Sequence, residues 1–174
     1  MKIFSNVLKQ TLPFLLFVTA GRMTTMAQSA QADKRAAKAA IIRNLVESQQ
    51  YDFKAQSVMP LGGRTRQLTT DYDLKVTKES IVSYLPYFGQ AYTAPMDPSQ
   101  SGIQFTSKDF DYKIAEGKKG GWDVQIKPKD YRDVQQMSMN ISADGYANLQ
   151  VVSTNRQAIS YYGYIMAIPP PRQK

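Results

Sequence analysis

Histidine and cysteine are both missing from the 174 residues, and the two absences remove most familiar site chemistry. Without imidazole there is no Ser-His-Asp or Cys-His nucleophilic centre, no imidazole-based zinc site and no histidine acid-base chemistry near neutral pH. Without cysteine there is no disulfide framework and no thiol for lipid attachment. Carboxylates, Lys, Tyr, Ser and Thr are left to do any chemistry, so a non-enzymatic role is expected, with no cofactor and no metal. An apolar run long enough to cross a bilayer is lacking too. Leu12 to Ala20, interrupted by Pro13 and Thr19, is about 9 residues against the roughly 20 that a spanning helix needs.

That short run has another use. Lys2 and Lys9 make a basic start, and Thr25-Met26-Ala27 puts small residues at the two positions a signal peptidase reads, so residues 1–27 are expected to be an export signal. The mature chain would then be 28–174, a single domain in the periplasm or outside the cell, soluble and not lipid-anchored, with no integral membrane segment after processing. The signal carries three of the 22 basic residues (Lys2, Lys9, Arg22) and none of the 14 acidic ones, which leaves 19 against 14 and a mature charge of +5. These charges are scattered rather than gathered in a run, so nucleic acid is not an expected partner.

Within the mature chain, Ala37, Ile41 and Leu45, together with Ala40, Ile42 and Val46, recur at helical spacing and predict an amphipathic helix over about 33–50. Downstream the period becomes two. Tyr51, Phe53, Ala55 and Ser57 alternate with Asp52, Lys54 and Gln56, and Tyr72, Leu74 and Val76 with Asp73 and Lys75. Further strands are read at Ile81 to Leu85, Ile103 to Thr106, Phe110 to Ala115, Trp122 to Ile126, Met137 to Ile141, Tyr146 to Ser153 and Ala158 to Ile168. Tight turns are expected at Thr77 to Ser80, Gly117 to Gly121 and Ala143 to Gly145. Residues 90–102 read as a long exposed loop, and Pro169 opens a proline-rich tail, 169–174.

No second helix is available for a parallel crossover, so the fold class is α+β: an N-terminal helix packed on a curved antiparallel meander, or partly closed β-barrel, of about eight strands over 51–168.

Candidate site residues come from aromatic density. Tyrosine has a flat apolar face and a polar tip, which suits both a β core and the wall of a ligand pocket. Tyr87, Phe88, Tyr92, Tyr161 and Tyr162 are the candidates, with Arg156 beside them as a fork of donors for a carboxylate or sugar hydroxyls. The alternative for Arg156 is a side chain that ties its loop to nearby carbonyls. Asp71 with Asp73, and Asp109 with Asp111, are spaced to share a strand face, as in carboxylate-dependent hydrolases; each pair is equally the wet face of a half-buried strand. Asp97, Ser99 and Ser101 have oxygens but lack the Gly and Glu of a calcium loop. Gly62-Gly63-Arg64 echoes a phosphate-cradling loop without its helix and reads as a turn.

Leu85-Pro86-Tyr87-Phe88-Gly89-Gln90-Ala91-Tyr92, Gly145-Tyr146-Ala147-Asn148-Leu149 and the segment from Asn155-Arg156 to Tyr161-Tyr162-Gly163 together resemble an exported domain of unknown function found mainly in Bacteroidetes bacteria. The resemblance covers nearly all of the mature chain. It implies an envelope location and one small domain, with no established activity or catalytic residues to carry over. The expected function is binding of a small molecule, glycan or peptide on an aromatic-lined curved sheet. The alternative is an envelope protein-protein interaction module using the 90–102 loop and the tail, and the hydrolase stands third.

Overall fold

The computed structural model describes residues 23–92 and 102–170. The short apolar run 12–20 of the expected export signal, most of the 90–102 loop with Asp97, Ser99 and Ser101, and the end of the proline tail lie outside the described residues. Helix α1 (Met23–Ser48) starts ten residues before the expected Asp33, because its Ala- and Gln-containing first turns have high helix propensity. The chain divides into two compact units, Met1–Ala36 and Ala37–Lys174. In the first, residues 31–36 are helical and exposed.

In the second unit, the C-terminal half of α1 is followed by nine strands: β1 (Tyr51–Pro60), β2 (Arg66–Val76), β3 (Ile81–Leu85), β4 (Ile103–Ser107), β5 (Phe110–Glu116), β6 (Trp122–Pro128), β7 (Val134–Ile141), β8 (Tyr146–Ser153) and β9 (Ile159–Met166). They form one antiparallel sheet in the order β4-β3-β2-β1-β9-β8-β7-β6-β5. All neighbours are consecutive hairpins except β1 and β9, whose pairing joins the two ends of the meander. The result is a nearly closed barrel with a seam between β4 and β5. Asp130 ties that seam: its carboxylate accepts hydrogen bonds from the Ser107 hydroxyl and from the backbone N–H of Lys108 and Asp109. The Phe105 and Tyr131 rings stack 4.4 Å apart beside it.

Side chains of alternate residues fill the core, as period-two strands require. Ile42 and Val46 of α1 join them, whereas Ile41, expected on the packing face, stays 61% exposed. The β7–β8 turn shows why the helix fits. Gly145 has φ of +82°, and a Cβ there would lie 2.6 Å from Ile42 Cδ1, so glycine both makes the turn and leaves room for the helix. The Tyr112 hydroxyl adds a hydrogen bond to the Val46 carbonyl at 3.3 Å.

Simple alternation along β1 fails at one place. Gln56 is the extra residue of a β-bulge, so the pairing jumps from Ala55 opposite Gly163 to Ser57 opposite Tyr162. Ser57, expected on the core face with Tyr51, Phe53 and Ala55, is therefore turned to the outward face, and Val58 enters the core instead. A one-residue insertion reverses facing because the side-chain period is two.

Candidate functional site

The bulge completes a row of polar side chains across the barrel wall. Following the strand register, Gln67 of β2 pairs with Ser57 of β1, Ser57 with Tyr162 of β9, Tyr162 with Asn148 of β8, Asn148 with Asn140 of β7, and Asn140 with Asp123 of β6. Six strands at about 4.8 Å spacing make this row about 24 Å long. It runs along an open cavity of about 840 Å³, also bordered by Gln56, Tyr146 and Lys118. Of the next residues along the strands, Gly163 has no side chain and Ala147 and Ile141 turn theirs to the core, so the cavity floor beside the row is largely backbone.

Gly163 is required for this floor. A Cβ on it would meet the Lys54 carbonyl oxygen at 1.9 Å, so the β1 bulge can approach β9 only where β9 has no side chain. Within the row, the Asn140 amide donates to Asp123 Oδ1. Asn148 Oδ1 differs: it is buried and has no hydrogen-bond partner among the described residues, a state that costs free energy unless something supplies a donor.

The six residues nominated by sequence do not form one site. Tyr162, 38% exposed, belongs to the row. Tyr161 faces the opposite way, fully buried, and its hydroxyl donates to the Pro86 carbonyl at 2.6 Å. Burial pushes that hydroxyl far above the ordinary tyrosine range. Arg156 and Tyr87 lie in a network that joins residues 86–92 to 155–157. The Arg156 guanidinium sits over the Tyr87 ring at 5.3 Å, donates to the Gly102 carbonyl at 3.1 Å, and has Asp133 at 3.4 Å. The Tyr87 hydroxyl shares its proton between the Gln90 and Gln157 carbonyls at 2.8 and 3.0 Å. Backbone bonds from Tyr92 N–H to Asn155 and from Gln157 N–H to Gln90 finish the seam. Phe88 is exposed beneath the Arg66 guanidinium, on the rim of a second cavity of about 540 Å³ that includes Arg64 and Gly63. Tyr92 is 69% exposed.

The paired carboxylates are arranged unlike an acid-base pair. Asp109 and Asp111 are both exposed, and the Lys129 ammonium, 2.6 Å from Asp111, holds that carboxyl below its ordinary range. A proton-donating acid needs the opposite shift. Asp71 is exposed, and Asp73 is paired with Lys54 at 2.9 Å and Lys75 at 3.6 Å. Asp52 is the carboxylate raised by burial, an effect opposed by the Lys54 ammonium 3.1 Å away. Among the described residues no cluster of acidic side chains could hold a metal ion, and no helix is long and apolar enough to cross a membrane.

Ser57, Gln67, Asp123, Asn140 and Asn148 were not legible as a site in the sequence. Each is an ordinary polar residue at an outward strand position, and only the register aligns them. Comparison with known proteins agrees with the fold and is silent on activity. No curated protein matches the chain. A solved structure of a DUF4251 family protein from Bacteroides eggerthii shares 16% sequence identity and aligns over 76% of this chain and 91% of its own, with a TM-score of 0.55. The model of that family matches residues 33–165, from the helix through the last strand. The chain belongs to the DUF4251 family, a domain of unknown function.

Proposed function

We propose that this is an exported, non-enzymatic binding domain whose ligand lies in the open cavity along the Ser57-Tyr162-Asn148-Asn140 row. The observation that carries the reading is an open cavity of about 840 Å³ bordered by the polar row, with the exposed Tyr162 and Tyr146 rings at its wall. That volume suits a bound small molecule or a short stretch of a chain. The lack of His and Cys, the exposure of Asp109 and Asp111, and the pairing of Asp73 with Lys54 and Lys75 support a binding role over catalysis. The basic start, short apolar core and Ala27 support export.

A thermal-shift screen of envelope glycans, peptides and small molecules tests the reading. A ligand that prefers the native state must raise the unfolding midpoint, and Tyr162→Ala should abolish the response while lowering the unliganded midpoint only slightly. Failure of every class to shift the midpoint would sink the proposal. Export is checked by mass spectrometry of the protein from its native envelope fraction: the chain should start at Gln28, and a cytoplasmic chain retaining Met1 contradicts it.

A further inference from the structure

From the chemistry of the same cavity we infer that its ligand is a neutral oligosaccharide, lying across the strands along the row from Gln67 to Asp123; the inference rests on the binding role proposed above. Four carboxamides border the cavity: Gln56, Gln67, Asn140 and Asn148. Each has donors and an acceptor on one side chain, which matches hydroxyl groups that also donate and accept. The charged side chains there are Lys118 and Asp123, one of each sign, and Asp123 is already engaged by Asn140. A phosphate or carboxylate ligand would call for arginine forks, and this cavity has none.

A peptide fits poorly for a different reason. Extended peptides gain affinity by adding a strand to a free sheet edge. Here the row lies on the face of the sheet, and β1, β9, β8, β7 and β6 are each paired on both sides along it; β2, whose pairing with β3 begins at Asp73, is open on one side at Gln67, the end of the row. The backbone groups of the inner strands are spent on one another. Face recognition must use side chains, and Tyr162 and Tyr146 supply exposed rings at the row and beside it, the latter 63% exposed. Ring faces pack against the C–H faces of sugars while neighbouring amides take the hydroxyls. A row of about 24 Å is longer than a single sugar, so several units of a chain are accommodated.

Titration calorimetry of the purified protein against cellopentaose, maltopentaose, xylopentaose, mannopentaose and chitopentaose tests this, with the matching disaccharides, polygalacturonate and a neutral Gly-Ser-Asn peptide as comparisons. At least one neutral pentasaccharide should bind, at least about tenfold more tightly than its disaccharide, and Tyr162→Ala or Asn148→Ala should weaken it by about tenfold or more. Tyr162→Phe, which keeps the ring, should retain most of the affinity, and the urea-unfolding midpoint of Asn148→Ala separates lost binding from misfolding. Phe88→Ala, in the other cavity, should leave binding unchanged. Binding of only the peptide or the acidic polymer, lost in Tyr162→Ala, overturns the saccharide inference and preserves the binding role. No pentasaccharide bound, or one bound equally well by Tyr162→Ala and Asn148→Ala, overturns it as well.

Discussion

Two tyrosine-rich regions of this barrel look alike in composition and differ in how their polar atoms are used. Around Arg156, Tyr87 and Tyr161, every polar tip named above has a protein partner: a carbonyl 2.6 to 3.1 Å away, or the Asp133 carboxylate. Along the Ser57-Tyr162-Asn148-Asn140 row, a buried carbonyl oxygen has none, and the ring beside it is open. The first region uses its hydrogen bonds to hold the 86–92 and 155–157 segments together. The second leaves side-chain amides and a ring bordering an open cavity. Aromatic density alone does not distinguish scaffold from site; the count of satisfied donors and acceptors does.

The contrast breaks most visibly under Tyr161→Ala, which empties a fully buried ring position and deletes the bond to Pro86. A loss of about 3 to 5 kcal/mol is expected by urea unfolding, typical of truncating a buried aromatic. Arg156→Ala should cost about 3 kcal/mol, because it leaves the half-buried Asp133 without its cation. If either variant kept wild-type stability and lost only ligand binding, the roles assigned to the two regions would be exchanged.

A smaller effect separates them by pH. Asp130, at the seam, has its carboxyl held below the ordinary range first by the Ser107 hydroxyl and then by the Lys108 N–H. Its folded value lies below its unfolded value of about 4, so its stabilisation is complete above that pH and is lost as pH falls through the folded value. Asp130→Asn should therefore be less stable at neutral pH and show a flatter acid limb in unfolding scans from pH 7 to 2. The amides of the row do not titrate. Saccharide affinity should be flat between about pH 5 and 8, and a steep dependence there would point to a charged ligand instead.

The smallest stability effect belongs to Tyr162→Ala, expected at about 1 kcal/mol, because the partly exposed ring loses only its cross-strand contacts with Ser57 and Asn148. A loss several times larger would make Tyr162 part of the scaffold.

Much of this architecture is readable from periodicity: nine strands, their turns and the meander follow from period-two patterns and glycine positions. The misreadings have local causes. Alanine-rich residues extend the helix to Met23 with little apolar signal. β2 starts at Arg66 rather than near Tyr72, because residues 68–71 form an excursion opposite the single residue Gln56 and break the alternation. The same bulge reverses the facing of Ser57. Arg156 and Tyr87 are visible as residue types, but only distances assign them to the internal network, and the polar row exists solely through pairings such as β1 with β9 that no local pattern reveals.

The central claim, that the row rather than the Arg156 network meets the ligand, is tested most directly by ¹⁵N–¹H spectra of the protein titrated with the pentasaccharide that binds best. The side-chain amide signals of Asn148, Asn140 and Gln67 should shift progressively and saturate together, while the Arg156 Nε–Hε signal stays in place. Movement of Arg156 Nε–Hε with the three amides unmoved would contradict the account.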